Sequence, residues 1–166
     1  MLFGSPRFRL RPGDRVLVSL TDDEAGLVRS LPEELRGILE GSPDDDAHRR
    51  IFPRAYVDPT EEQAEADWQS MVHSELLQER LAAVRLVAAT LERATPRRGR
   101  VEVELAPEEV AAWLGVLNDV RLALGTRLEV TEDGNDVDPS DPRAAAFALY
   151  HWLTWVQSDL VDVLLG

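Results

Sequence analysis

Apolar and polar residues alternate strictly at the start of the chain and then change period. Phe8 and Leu10 are interleaved with Arg7, Arg9 and Arg11, and Val16, Val18 and Leu20 alternate again after the turn residues Pro12-Gly13-Asp14. That pattern predicts a β-hairpin over 7–20. Thr21-Asp22-Asp23-Glu24 has capping-box spacing and predicts a short helix ending near Ser30, because Pro32 restricts Leu31. Ser30 and Glu33 repeat the spacing, so a second short helix is expected to about Glu40, with Gly41 stopping it. Residues 42–50, SPDDDAHRR, hold only Ala47 as an apolar residue and predict a mobile loop. An extended segment, Ile51 to Pro59, leads into a long helical stretch to about Arg93, kinked near Ser70–Ser74. Its second half places Leu77, Leu81, Val84, Ala88 and Leu91 on one face.

The second half of the chain reads in the same way. Arg97-Arg98-Gly99-Arg100 predicts a basic turn, and Val101, Val103 and Leu105 alternate with Glu102 and Glu104 in a half-buried strand. Pro107-Glu108-Glu109 opens a helix with an apolar stripe from Val110 to Leu124, and Gly125 is expected to cap it. Leu128 and Val130 then predict a further strand near 127–131. Residues 133–142 predict an acidic loop and 142–165 a closing helix. The fold class is α+β, mainly α: a helical bundle with a small antiparallel β element, in one domain spanning 1–166. The arginines of strand 7–11 and the glutamates of strand 101–105 suit each other as neighbours. Such cross-strand pairs add only about 0.2–1 kcal/mol each, enough to hint at register.

Composition narrows the function classes. The formal net charge is −13, which opposes non-specific contact with a phosphate backbone over most of the surface. No apolar run approaches the roughly 20 residues of a membrane span. The N-terminus lacks the basic-then-apolar order of a signal peptide, and no membrane association is expected. With no cysteine, disulfides, thiolate metal sites and thiol catalysis are excluded for this sequence, and the cytosol is the expected compartment. Every basic residue is an arginine and isoleucine occurs only at 38 and 51, a bias that fits a GC-rich genome.

Candidate chemistry fails residue by residue. His73-Ser74-Glu75 matches H-x-E, but the matching cysteine half of a zinc-deaminase signature is absent. Asp133 to Asp138 resembles a cation loop, yet neither starting frame supplies the glycine and glutamate an EF-hand requires. No Walker, G-x-S-x-G or dinucleotide motif occurs. Glutamate pairs such as Glu61/Glu65 read as solvated helix faces. No catalytic residue, metal ligand or cofactor is therefore expected. Ala111 and Gly115 have the spacing of a helix-turn-helix, but Leu117 to Leu124 offers only Arg121 to a base or phosphate. A better candidate nucleic-acid patch is Arg7, Arg9, Arg11 and Arg15 together with Arg97, Arg98 and Arg100, if the two segments meet. The closing helix carries an apolar load well beyond one face. Its Tyr150, Trp152, Trp155 and Leu160 are the candidate protein interface.

Three segments also resemble a known family. Ile51-Phe52-Pro53-Arg54-Ala55-Tyr56, the run Arg121 to Leu128, and Tyr150-His151-Trp152-Leu153-Thr154 are similar to the actinobacterial AosR-like family, long described only as a domain of unknown function. The resemblance implies a cytosolic regulator acting with the transcription machinery under oxidative stress. The leading expectation is a non-enzymatic protein that binds a protein partner, a sigma factor or RNA polymerase, as monomer or homodimer. The alternatives are a direct DNA-binding regulator using the arginine patch, and an enzyme with an unrecognised site. Thiol-based redox sensing needs cysteine, so no sensor residue carries over.

Overall fold

The computed structural model describes residues 5–54, 58–131 and 137–166. Strands β1 (Phe8–Arg11) and β2 (Arg15–Leu20) form the expected hairpin, with Phe8 opposite Val18 and Arg11 opposite Arg15. Gly13 and Asp14 take positive φ in its turn. Helix α1 (Asp22–Leu39) follows on a complete capping box: Thr21 Oγ1 accepts from the Glu24 N–H at 3.2 Å, and Glu24 accepts from the Thr21 N–H at 3.0 Å. The two short helices expected here are one. Pro32 lies inside α1 and is buried. An internal proline costs about 3 kcal/mol. Val28, Leu31, Leu35 and Leu39, each at most 2% exposed, are each worth roughly 1.5–3 kcal/mol buried. Packing along the uninterrupted stripe outweighs the proline.

The expected loop at 42–50 contains helix α2 (Asp46–Ile51), whose N-cap Asp45 accepts from the Ala47 N–H at 3.0 Å. Ala47, His48 and Ile51 are buried, so three residues anchor a segment whose composition reads as solvent. Of the extended segment expected at 51–59, Ile51 is helical and residues 55–57 lie outside the described residues. A 3-10 turn (Pro59–Glu61) leads into α3 (Glu62–Trp68), a π-helical turn (Gln69–His73) and α4 (Ser74–Glu92). The π turn falls where the kink is expected.

Strands β3 (Thr95–Arg97) and β4 (Arg100–Leu105) form a second hairpin through Arg98 and Gly99, both at positive φ, the geometry that matches strand twist. The antiparallel sheet order is β1-β2-β4-β3. Strands 7–11 and 101–105 thus share a sheet but are not neighbours. The three-residue turn commits β1 to one edge of β2, and β4 takes the other. The arginine that meets β4 is Arg15, 3.1 Å from Glu104.

Helix α5 (Pro107–Arg127) is continuous, which removes a helix-turn-helix at Ala111–Gly115. Trp113 is 1% exposed; its Nε1 donates to Thr90 Oγ1 at 2.9 Å, which donates to the Val87 carbonyl at 2.7 Å, so the buried polar atoms are satisfied. The strand expected near 127–131 does not form, and Gly125 is not the cap. The Val130 N–H donates to the Gly125 carbonyl and the Glu129 N–H to the Thr126 carbonyl, with Glu129 at φ 55°. That is a Schellman ending in which a glutamate takes the usual glycine place. Gly125 serves a different need: a Cβ there would lie 3.0 Å from Tyr150 Cε2. Helix α6 (Ala144–Leu165) closes the chain. Val16, Val18, Leu20, Val101, Val103 and Leu105 face the helices, and α5 packs against α1, α2, α4 and α6.

Candidate functional site

Helix α6 divides its side chains sharply. Phe147, Leu153, Val156 and Leu160 are buried at spacings that keep one stripe on the core. Leu160 is 0% exposed, so this candidate interface residue faces the core and is unavailable to a partner. Trp155 is on the other side at 65% exposure, while Tyr150 and Trp152 are half-buried along the flank. Leu164 and Leu165 extend the apolar surface to the helix end at 39% and 80%. An exposed indole on a rigid helix has the chemistry of an interface anchor.

The arginine patch is assembled, but it is not bare. Because β4 pairs with β2 and β3 with β4, the alternation that buries the valines places Arg9, Arg11, Arg15, Arg97 and Arg100 on the opposite, outer face of the sheet. Glu102 and Glu104 lie on that same face between them. Arg15 reaches Glu104 at 3.1 Å and Arg97 reaches Glu102 at 3.9 Å. Arg100 donates to the Ser19 hydroxyl and carbonyl at 2.8 and 2.7 Å. Arg7 turns aside to Glu24 and Asp159, both at 2.6 Å, tying the α1 N-terminus to α6. Burial acts to raise the Glu24 pKa; the Thr21 N–H and the Arg7 guanidinium more than offset it and leave the carboxyl below its usual range. Arg98 sits in the β3–β4 turn, and Arg9 and Arg11 stay exposed.

A third grouping carries no signal in the sequence, since its members lie 25 residues apart. His48 and His73 stack at 5.7 Å, and Phe52 packs against both, 4.9 Å from His48 and 4.7 Å from His73. The Arg80 guanidinium lies 5.6 Å from the Phe52 ring and pairs with buried Asp119. Desolvation raises the Asp119 pKa, and Arg80 offsets this only in part. Beside the rings is an open cavity of about 300 Å³ that also takes in Glu62, Glu65 and Gln69. Glu65, expected on a solvated face, is 6% exposed and accepts from Gln69 at 2.8 Å. The one available hint was Gln69 four residues on, the helical spacing of such a pair.

This pocket brings two histidines and two carboxylates to one lining, His48 and His73 with Glu62 and Glu65. His48 Nδ1 is 3.1 Å from the Ile38 carbonyl, which can only accept, so Nδ1 carries a proton. Its Nε2 is buried without a hydrogen-bond partner among the described residues, and Glu65 is already engaged by Gln69. Among the described residues no group of three histidine or acidic side chains is placed to hold a metal ion. The acidic loop at 133–138 falls largely outside the described residues. No helix is long and apolar enough to cross a membrane among the described residues.

Comparison with known proteins agrees with the family resemblance. The DUF2017 family, described as a domain of unknown function, matches residues 5–164. Proteins named oxidative stress regulator AosR from Mycobacterium tuberculosis and Mycobacterium bovis are each 32% identical over an alignment 190 positions long, covering 96% of this chain and 87% of their own. A relative from Mycobacterium leprae is 28% identical over 149 residues, 81% of this chain and 66% of its own. No solved structure matches. The chain therefore belongs to the DUF2017 family, which it shares with the mycobacterial oxidative stress regulator AosR.

Proposed function

We propose that this chain is a cytosolic, non-enzymatic regulator of the oxidative-stress response that works by binding a protein of the transcription machinery, a sigma factor or RNA polymerase. The contact surface is the exposed flank of α6. The observation that carries this reading is Trp155, 65% exposed in the middle of a helix whose opposite stripe is fully buried. Tyr150 and Trp152 border it, and Leu164 and Leu165 continue it. A tryptophan held on a folded helix loses little side-chain freedom on binding and buries a large apolar area. The same surface also suits a homodimer. Without cysteine in this sequence, the chain regulates without a thiol sensor of its own.

The test is capture of purified RNA polymerase holoenzymes, each assembled with a different sigma factor, by the wild-type chain and by Trp155→Glu. Binding that Trp155→Glu abolishes, with circular dichroism unchanged, supports both partner and surface. Binding that survives the substitution removes the surface, and no binding to any holoenzyme removes the partner class. Light scattering of the two proteins reports whether the same face dimerises.

A direct DNA-binding reading ranks second, favoured by the arginines gathered on one face of the sheet. Glu102 and Glu104 among them, and the −13 net charge, weigh against it. A steeply salt-dependent gel shift that Arg9→Ala/Arg11→Ala removes would place it first.

A further inference from the structure

We propose that the cavity where α2, α5 and α6 meet is an oxyanion site for the phosphate or carboxylate group of a small molecule, with Arg121 and Arg50 as its cationic ligands. The cavity is about 210 Å³ and is bordered by both arginines, Thr126, Tyr150 and Glu129. It is smaller than the roughly 300–1,000 Å³ of pockets that enclose whole drug-sized ligands. Its size suits a small anion or the charged end of a larger molecule.

Arg121 is the central observation. It is half-buried, yet its Nε donates to Gln157 Oε1 at 2.8 Å and its Nη2 to Asn118 Oδ1 at 3.2 Å, both neutral amides. Gln157 Nε2 donates to the same Asn118 oxygen at 3.3 Å, which closes the triad. Of the other half-buried arginines, only Arg100 is likewise bonded to neutral groups, the Ser19 hydroxyl and carbonyl. Arg7 and Arg80 pair with carboxylates, and Arg100 lies in the field of Glu24. In a chain with 31 acidic residues against 18 arginines, a guanidinium withdrawn from water without a counter-charge carries a cost. The two amides occupy the Nε–Nη2 edge and fix the guanidinium plane, leaving the Nη1 hydrogens preorganised to donate to an oxyanion.

The rest of the lining fits the same ligand. Arg50, from the last turn of α2, is exposed and makes no ion pair among the described residues. The Thr126 and Tyr150 hydroxyls have no hydrogen-bond partner among those residues, so both can donate to an anion. Gly125 lets the Tyr150 ring lie against α5 as the cavity wall. Among the described residues, Glu129 at the rim leaves a lining charge of about +1, which favours one compact anion over a polyanion such as nucleic acid.

The experiment titrates inorganic phosphate in one arm and malonate in the other, at constant ionic strength balanced with chloride. The readouts are the Arg121 Nε–H resonance and the melting temperature. A saturable shift is expected, and the tighter arm identifies phosphate or carboxylate as the recognised group. Arg121→Gln should abolish it and Arg50→Gln should weaken it roughly tenfold, the loss of one charge-assisted hydrogen bond. Arg98→Gln, in the distant β3–β4 turn, should leave it unchanged. Arg50 is exposed, so its variant keeps the fold even if Arg121→Gln loosens α5 from α6. No saturable response in either arm, or equal responses in wild type and Arg50→Gln, overturns the proposal.

Discussion

The outer face of the sheet and the helical junction around α5, where it packs on α4 on one side and α6 on the other, both gather arginines, and they treat them in opposite ways. On the sheet, Arg15 and Arg97 are answered by Glu104 and Glu102, and Arg7 by Glu24 and Asp159, at or near the surface. At the junction Arg80 is answered by one buried carboxylate, Asp119, and Arg121 by amides alone. With acids in excess, pairing on the surface is the default and little energy rides on any one pair. Withdrawn from water, the choice of partner decides the local free energy. The comparison therefore predicts large effects at the junction and small ones on the sheet.

The largest effect is expected at Asp119, 4% exposed. Asp119→Ala leaves the Arg80 guanidinium without its counter-charge; such a loss costs about 3–5 kcal/mol in a fully buried pair, and with the Arg80 side chain 33% exposed about 2 kcal/mol is expected. Urea unfolding reads this directly. A loss below about 1 kcal/mol would mean that Arg80 escapes to solvent and the junction resembles the sheet. The pH dependence sharpens the point. Desolvation raises the Asp119 pKa in the folded state, so the folded chain keeps a proton that the unfolded chain releases above the ordinary aspartate value. This group's contribution to stability is greatest below that value and declines as pH rises through the window up to the raised one. Asp119→Asn removes that decline.

Much of this contrast was legible in the sequence on the sheet side and little of it at the junction. Alternation gave the two hairpin strands and β4, because period-2 patterning and turn residues are local. The Pro12-Gly13-Asp14 and Arg98-Gly99 turns were readable for the same reason. Helix α1 was misread at Pro32, since the benefit of burying Leu31 and Leu35 against distant residues has no local signature. Helix α2 was hidden by its own polarity, though Asp45 two residues before Ala47 is a cap signal. Gly125 looked like a stop signal and is instead a close approach to Tyr150, 25 residues away. Of the candidate interface residues, Trp155 is exposed and Leu160 is buried. The α6 sequence is apolar on nearly all sides, so periodicity could not separate its two faces. The partnership of His48 with His73, and of Arg121 with Gln157, is set only by tertiary packing.

The next effect in size belongs to the sheet's one partly buried cluster. Arg7→Ala frees Glu24 and Asp159 together, and charge-assisted hydrogen bonds of this kind are worth about 1.5–3 kcal/mol where desolvated. Arg7 is 26% and Asp159 45% exposed, so about 1 kcal/mol is the expected loss. The folded-state Glu24 pKa is depressed. Its stabilisation is therefore full above the ordinary glutamate value and is lost as pH falls through the lowered one. Arg7→Ala should flatten the acid limb of a stability-versus-pH curve, opposite in sign to the Asp119 contribution. An unchanged acid limb would show that Arg7 does not set the Glu24 equilibrium.

Gln157→Glu converts the junction to the sheet's logic by giving Arg121 a carboxylate. Stability should rise by at most about 1 kcal/mol, because the new pair gains Coulomb energy while the chain acquires one more negative charge. The phosphate or malonate response should disappear with it, since the counter-charge would then be internal. An anion response as strong as wild type would break the contrast between the two regions.

The smallest effect is expected where the arginine patch looks most suggestive by eye. Arg15 and Glu104 are each close to half exposed at 3.1 Å, and exposed pairs of this kind contribute about 0–1 kcal/mol with strong screening by salt. Arg15→Ala should change unfolding stability by less than about 0.5 kcal/mol at moderate salt, and Glu104→Gln likewise. Glu104→Gln has a second use, because it removes one acid from between the arginines and makes the outer face more basic. If that variant acquires salt-sensitive DNA binding that the wild type lacks, the glutamates are what keeps this face from DNA. If both variants leave stability and DNA affinity untouched, the sheet's charges serve mainly to keep an acidic surface solvated, and the site of action lies elsewhere on the molecule.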